Sequence, residues 1–576
     1  MIVLGINCYH SDSSASLIIN GKVVACLEEE RFTRIKHAGG FPSNSINFCL
    51  EKNNIKVNDI DIIAVNYNSS YNFKEKFIFA IKKFYHLNFW KFKVKKIKKF
   101  KSLFKEFYNY FGLTNKTKIL FVPHHLAHNA SSVLVSGLDS GLSISFDGSG
   151  DFSTGEVYKV SNRSFKLINK VNFPHSLGIF YQAITQFLGF LDYGDEYKVM
   201  GLAAYGKNNY KEKFDKIIQY RDGNINLNLK YFKHHNLGEG EIINISSSIL
   251  FSDEIFNLLG RPRKAGSKIK KKHQDLAATL QTVFEEIIVE YVNFYQKKFK
   301  SQNLFLSGGC FFNSLCNMKL IEKTNFKKIF IQPNAGDAGG SLGAALYGSS
   351  QFDKKFKNIK LSHLYYGYEE KKNITKKIIN NYFLDKKKYK VRQFSNLDKM
   401  NYFIAKKISK SQIIAWHQGK AEFGPRALGN RSILADPRKI EIKDLLNIKI
   451  KNRDKFRPFA PSILDKNVAE YFEVSNKYDY DFMNATVRVK NSQYKKIPSV
   501  INVDKTARIQ IVKKKINSRY YKLIEAFYKI TNVPILLNTS LNNQEPVSNS
   551  CEDSINTFLN TKLDYLVIDN YVISRN

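Results

Sequence analysis

Ile2-Val3-Leu4-Gly5-Ile6-Asn7 opens the chain; after a polar turn without glycine come Ala15-Ser16-Leu17-Ile18-Ile19, the pair Asn20-Gly21, and Lys22-Val23-Val24-Ala25-Cys26-Leu27. Each run is short and apolar, and Asn-Gly between two such runs is a strong hairpin signal, so residues 2–27 are predicted to form three consecutive strands. Residues 141–171 repeat the scheme, with Leu142 to Asp147, the loop Gly148-Ser149-Gly150-Asp151, Gly155 to Val160, and Phe165 to Val171.

A duplicated three-strand opening, each copy followed by helices, is how the two lobes of an actin-like (ASKHA) ATPase fold begin. The first turn of each lobe in that fold faces nucleotide phosphates, because backbone N–H groups in a tight turn form an anion-binding nest. Helical segments are predicted around Tyr181 to Leu191 and Gln274 to Lys298. The strand Leu304-Phe305-Leu306 then ends in Ser307-Gly308-Gly309-Cys310, and Ile329 to Gln332 ends in Asn334-Ala335-Gly336-Asp337-Ala338-Gly339-Gly340 before a small-residue helix. Glycine turns at strand ends that open helices are where α/β folds bind nucleotides. Past about residue 360 a second α/β region with Arg-rich motifs begins, which predicts domains at 1–355 and 356–576.

At 576 residues the chain is too long for one hydrophobic core, and 43% hydrophobic content supplies material for two. The net charge of +39 comes mostly from lysines spread along the chain beside abundant Asn, Ile, Phe and Tyr. That pattern fits the codon bias of an AT-rich genome as well as it fits a polyanion partner, so charge alone does not argue for DNA. The six cysteines show no C-x-x-C pairing, the N-terminus reads as a strand instead of a signal peptide, and no apolar run approaches the ~20 residues of a membrane span. A reduced, cytoplasmic protein is expected. Within an insertion at about 70–112, Val94, Ile97, Phe100, Phe104, Phe107 and Phe111 recur at helical spacing in a Lys-rich setting. Such a stripe packs on its own domain or lies on a membrane surface, and the first is the expectation.

His124 and His128 stand four apart, on one face of a helix. With Asp147 and Asp337, each at a strand end opening onto a glycine turn, they form a donor set suited to Fe(II), Zn(II) or Mn(II). Each Asp alone could instead cap a helix. His10, in the first turn, is either a general base for an acceptor hydroxyl or a surface histidine without a role. Lys198 and Gly201, in Gly194-Asp195-Glu196-Tyr197-Lys198-Val199-Met200-Gly201-Leu202, belong to an ion pair at a helix start or to a nucleotide contact. Gly419-Lys420-Ala421-Glu422-Phe423-Gly424-Pro425-Arg426-Ala427-Leu428-Gly429-Asn430-Arg431-Ser432 packs cations among turn formers, followed by Arg438, Lys455-Phe456-Arg457-Pro458 and Arg508. Arginine forks bind phosphate bidentately, so this region is expected to hold an anion, with Asn538 in Leu537-Asn538-Thr539-Ser540 suited to an amide or carbamate head.

These motifs, with Glu28-Glu29-Glu30-Arg31-Phe32-Thr33-Arg34, His37, Gly40-Phe41-Pro42 and Phe456-Arg457-Pro458-Phe459-Ala460-Pro461, occur in the order found in a known family. The chain resembles the O-carbamoyltransferases related to nodulation protein NodU and to the antibiotic carbamoyltransferases acting on tobramycin and cephalosporins. The resemblance implies a Kae1-like N-terminal domain and a YrdC-like C-terminal domain. It implies that the second makes carbamoyl adenylate from carbamoyl phosphate and ATP with Mg(II), and that the first transfers the carbamoyl group to a hydroxyl of a sugar, glycan precursor or secondary metabolite. By position, His124, His128, Asp147 and Asp337 match the metal ligands and His10 the transfer base. Lys420, Arg426 and Arg431 match catalytic contacts. Gly148, Gly150, Asp151, Lys198, Gly201, Gly308, Gly309, Asn313, Gly336, Arg457, Arg508 and Asn538 match nucleotide or carbamoyl phosphate contacts. A homodimer is compatible with this reading. The competing expectations are a tRNA threonylcarbamoyladenosine enzyme, which the positive charge would suit, and a nucleotide-gated actin-like binding protein.

Overall fold

The computed structural model describes residues 1–82, 97–114, 117–236, 248–385 and 387–576. It divides into two compact units: Met1–Glu29 with His37–Leu361, and Glu30–Lys36 with Ser362–Asn576. The division at Leu361 lies a few residues beyond the expected boundary. Assignment of Glu30–Lys36 to the second unit has no counterpart in the sequence reading.

The first unit contains β1 (Ile2–Asn7), β2 (Ser14–Ile19), β3 (Lys22–Glu28), β4 (Ile62–Asn66), β5 (Lys118–Val122), β6 (Ser140–Gly150), β7 (Ser153–Ser161), β8 (Ser164–Asn172), the hairpin β9 (Ile218–Arg221) and β10 (Asn224–Leu227), β11 (Asn303–Ser307) and β12 (Lys328–Ile331). One five-stranded sheet runs β3-β2-β1-β4-β5 and another β8-β7-β6-β11-β12. In both, the first three strands in sequence pair antiparallel and the next two join in parallel. The duplication expected from residues 2–27 and 141–171 is thus present strand for strand. One segment differs from the loop expected at Gly148–Asp151: β6 continues to Gly150, with its pairing to β7 shifted between Phe146 and Gly150.

The predicted helix at Tyr181 to Leu191 lies instead at Leu177–Phe187. It starts early because the Ser176 hydroxyl accepts from Ile179 N, and it stops early because Gly189 takes φ +75°, a conformation that ends helices. The helix expected at Gln274 to Lys298 spans Lys271–Phe299. Of the aromatic stripe in the insertion, Phe100 stacks on Tyr67 at 3.8 Å and Phe107 meets Phe41 edge-on at 5.2 Å. Those two side chains are buried, so this part of the stripe packs on its own domain; Val94 lies outside the described residues.

The second unit carries β13 (Tyr389–Gln393), β14 (Ile414–His417), β15 (Arg431–Ala435), β16 (Ala460–Leu464), β17 (Phe472–Glu473), β18 (Thr486–Val489), β19 (Thr506–Arg508), β20 (Gln510–Val512), β21 (Ile535–Ser540), β22 (Tyr565–Ile568) and β23 (Tyr571–Arg575). Eight of them form one mixed sheet, β13-β23-β22-β14-β15-β21-β16-β20, and β17-β18-β19 form a small separate one. The Glu30–Lys36 segment is tied in by Arg31, which donates to Gly424 O at 2.5 Å, and by Arg34, which donates to Val547 O at 2.9 Å and Pro546 O at 2.6 Å.

In the first unit the small-residue helix Asp337–Phe352 lies against β1, β2, β4 and the helix His124–Val133. Gly343 permits the closest approach: a Cβ there would collide with the Ala127 carbonyl oxygen, which is helix backbone and cannot move aside. Gly343→Ala is therefore expected to destabilise the first unit by about 1–3 kcal/mol through overpacking. A urea midpoint equal to wild type would contradict that account of the helix pair.

Candidate metal centre and anion site

His124 is the first residue of its helix because Pro123 at the N-cap cannot continue it backwards and Asp151 Oδ2 accepts from His124 N at 2.9 Å. Four residues later His128 projects from the same face, and the two Nε2 atoms lie 3.1 Å apart. Asp147, in β6, places Oδ2 3.1 Å from His128 Nε2, and Asp337, the first residue of its helix, places Oδ1 3.3 Å from the same atom and 3.5 Å from His124 Nε2. One donor atom from each of the four falls within 4.8 Å of the others. All four residues named from the sequence are thus brought together. Gly150 keeps the space open, since a Cβ there would collide with the His124 ring.

Electrostatically this is a costly arrangement without a cation. Burial raises the Asp147 carboxyl, and Asp337 raises it further. Burial acts upward on Asp337 too, but His124, His10 and His128 outweigh it and hold that carboxyl well below the usual range. Burial pulls His128 down, yet its hydrogen bonds to Asp147 and Asp337 prevail and lift it to about 9; His124 is driven well below its ordinary value by burial. Two imidazoles and two carboxylates converging on one buried point fit a borderline divalent ion, whose charge would relieve the crowding of lone pairs.

His10 joins this group from the β1–β2 turn, with Nδ1 3.2 Å from Asp337 Oδ2. Asp337 thereby turns one oxygen to His10 and the other to the histidine pair. The same turn carries Asp12, whose Oδ1 lies 2.8 Å from His37 Nδ1, and the His37 ring meets Tyr193 edge-on at 4.9 Å. That pair was not singled out as a unit in the sequence, since its members stand twenty-five residues apart.

The glycine turns sit around Asp147. Gly148 N donates to Asp147 Oδ1 at 2.7 Å and Gly309 N to Asp147 Oδ2 at 3.0 Å, Gly308 takes φ +90°, and Gly336 precedes Asp337 as the N-cap of its helix. Other expected nucleotide contacts serve the protein's own frame. Asp151 Oδ2 accepts from Asn68 N at 2.8 Å as well as from His124 N. Asn313 caps the helix Ser314–Lys323 by accepting from Cys316 N at 3.0 Å. Lys198 Nζ pairs with Asp195 Oδ1 at 2.7 Å, and Gly201 lies within the helix Glu196–Ala203. In that helix burial pushes Glu196 up to about 7.

In the second unit, Arg508 lies in the field of Arg426, Arg453 and Arg457. Arg508 is driven well below its ordinary value by burial and then by Arg426, Arg453 and Arg457, and burial takes Arg426 down to about 10. A guanidinium does not give up its proton in practice, so the repulsion acting on Arg508 would be relieved by an anion. Arg508 Nε is buried without a hydrogen-bond partner. Beside the cluster Lys451 is buried with Nζ donating to Ser540 O at 2.6 Å, Asn542 O at 2.7 Å and Asn542 Oδ1 at 2.7 Å. Burial, then Arg453 and Arg457, depress it strongly. Arg453 and Lys451 were missed in the sequence because Lys451-Asn452-Arg453-Asp454 reads as a solvated polar run.

Arg431 occupies a different environment from the other arginines of its motif. Its guanidinium is fully buried and donates to carbonyls of Gln418 at 2.8 Å, Gly419 at 3.0 Å, Tyr368 at 3.1 Å and Asn549 at 3.1 Å, so it fastens loops together. Arg438 is likewise committed, to Asp436 at 2.7 Å. Asn538 Nδ2 donates to Ala427 O at 3.1 Å and Ser462 Oγ at 3.0 Å, and Lys420 is half-buried with its carbonyl accepting from Asn430. Among the described residues, no helix is long and apolar enough to cross a membrane.

Comparison with known proteins agrees with the two-unit division. Residues 2–346 match the family Carbamoyltransferase N-terminus and residues 405–575 the Carbamoyltransferase C-terminus. Nodulation protein NolNO of Sinorhizobium fredii is 34% identical over 99% of this chain and 80% of its own length. The uncharacterized protein MJ1051 of Methanocaldococcus jannaschii is 31% identical over the whole of both chains. A 3'-hydroxymethylcephem-O-carbamoyltransferase of Amycolatopsis lactamdurans is 30% identical over 44% of this chain and 45% of its own. With both family halves matched in order along nearly the whole sequence, the chain belongs to the carbamoyltransferase family.

Proposed function

We propose that the protein is an ATP- and carbamoyl-phosphate-dependent O-carbamoyltransferase acting on a hydroxyl of a sugar, glycan precursor or secondary metabolite. The observation that carries the reading is half-buried Arg508, whose Nε is buried without a hydrogen-bond partner and whose charge is opposed by Arg426, Arg453 and Arg457, a setting that favours a multiply charged phosphate. A cephem O-carbamoyltransferase among the relatives supports an alcohol acceptor.

Carbamate is a poor electrophile, so it requires a leaving group. In the second unit, assigned a YrdC-like role, water cleaves carbamoyl phosphate to carbamate and phosphate. A carbamate oxygen then attacks the α-phosphorus of ATP, which arrives with Mg(II), and the bond to pyrophosphate breaks. Arg426, Arg453, Arg457 and Arg508 hold the phosphates and offset the charge that develops on the leaving oxygen. In the first unit, assigned a Kae1-like role, the acceptor oxygen attacks the carbamoyl carbon and AMP leaves with the bonding pair. His10, oriented through its Nδ1 by Asp337, takes the hydroxyl proton on its other ring nitrogen. A divalent ion held by His124, His128, Asp147 and Asp337 would supply positive charge for the adenylate phosphate.

Two variants separate the half-reactions. His10→Ala is expected to keep carbamoyl-phosphate-dependent pyrophosphate release while transfer to acceptor falls about 10²–10⁴-fold. Arg508→Ala is expected to lower pyrophosphate release itself by about 10²–10³-fold. Equal loss of both steps in His10→Ala, or wild-type pyrophosphate release in Arg508→Ala, would overturn these roles.

The donor set has its own test. Gly150→Ala pushes the His124 ring out of place and is expected to weaken divalent metal binding by about 10- to 100-fold. Isothermal titration of the metal-stripped protein measures it, and unchanged affinity would remove His124 from the site.

A further inference from the structure

A second group of side chains able to ligate a metal lies in the unit that carries the arginines. His417 ends β14, Cys551 opens the helix Cys551–Leu559, and Glu370 precedes the helix Lys372–Tyr382. One donor atom from each falls within 4.8 Å of the others. His417 and Cys551 are only 2% and 1% exposed. Cys551 Sγ lies 3.8 Å from His417 Nε2, and Glu370 Oε2 is held at the helix start by accepting from Cys551 N at 2.8 Å.

The imidazole is oriented as a ligand would be. Its Nδ1 lies 2.7 Å from Ser554 Oγ, which also lies 3.3 Å from Ser550 O. In the tautomer where Ser554 Oγ accepts from Nδ1–H and donates to Ser550 O, the Nε2 lone pair faces the sulfur. A ligating histidine fixed through its second nitrogen is the recurring arrangement of metal sites. Zinc bonds of about 2.3 Å to sulfur and 2.0 Å to nitrogen at a tetrahedral angle imply a sulfur–nitrogen separation of about 3.5 Å. The observed separation is a few tenths of an ångström greater, within reach of small side-chain rotations.

We propose that Glu370, His417 and Cys551 bind a zinc ion that clamps the end of β14 to the start of the helix Cys551–Leu559. On binding, the thiol S–H bond breaks, its proton passes to solvent and a sulfur–metal bond forms. Thiolate and carboxylate together neutralise the dication, and the remaining position of the tetrahedron falls to solvent. The clamp sits beside the carbonyls that Arg431 gathers, those of Tyr368, Gln418, Gly419 and Asn549, so it braces the loop that leads to Arg426. A borderline-soft metal suits the thiolate, imidazole and carboxylate set.

Cobalt(II) is the probe, because only a thiolate ligand gives a near-ultraviolet sulfur-to-cobalt charge-transfer band, and the His124, His128, Asp147 and Asp337 group contains no cysteine. The metal-stripped full chain titrated with cobalt(II) is expected to develop that band, to lose it on adding zinc(II), and to lack it in Cys551→Ser. Ser554→Ala, which leaves all three ligands in place, is expected to weaken the titration about 10- to 100-fold. Cobalt binding by the wild-type chain without the band would overturn the proposal, as would a band that survives in Cys551→Ser.

Discussion

Two imidazoles and two carboxylates with donor atoms inside 4.8 Å of one another form an arrangement that isolated polar side chains would avoid, and the first unit is built to enforce it. His124 and His128 come from one helix, Asp147 from the first strand of the second sheet, and Asp337 from the start of the helix packed on the first sheet. The histidine pair is local, but the two carboxylates reach it from a strand and a helix distant in sequence. The glycines at 150 and 343 are the spacing elements, one clearing room for the His124 ring and the other letting the two helices that carry three of the four ligands approach backbone to backbone.

The second unit meets the opposite problem, too many cations. Arg431 resolves its own burial inside the protein by donating to four carbonyls on three loop segments, and Arg438 does so with Asp436. Arg508 has no such internal solution, and its neighbours Arg426, Arg453 and Arg457 make its position worse. Arg431 and Arg438 spend their guanidiniums on the protein's own oxygens while Arg508 Nε is buried without a hydrogen-bond partner, and this contrast is why anion binding is proposed at Arg508 and loop fastening at Arg431. A motif that reads as one block of cations therefore divides by burial and partners into two physical roles.

Much of this was legible in the sequence. Short apolar runs and the Asn20-Gly21 turn predicted β1 to β3, the second copy was recognisable from the same pattern, and the four-residue spacing of His124 and His128 predicted their shared face. What escaped depends on contacts between distant residues. Glu30–Lys36 belongs with the second unit because Arg31 and Arg34 find carbonyls at Gly424, Pro546 and Val547, hundreds of positions away. Arg453 and Lys451 lie in a lysine-rich run whose burial no local pattern announces. Glu370, His417 and Cys551 come from three separate elements, and a lone cysteine without a C-x-x-C partner carries no spacing signal.

The central claim is that the arginine cluster activates carbamate as an adenylate, and exchange between ATP and labelled pyrophosphate tests it without knowledge of the acceptor. With the wild-type chain and Mg(II), label is expected to enter ATP when carbamoyl phosphate is present and not when it is omitted. Absence of exchange with carbamoyl phosphate, or equal exchange without it, would contradict the account.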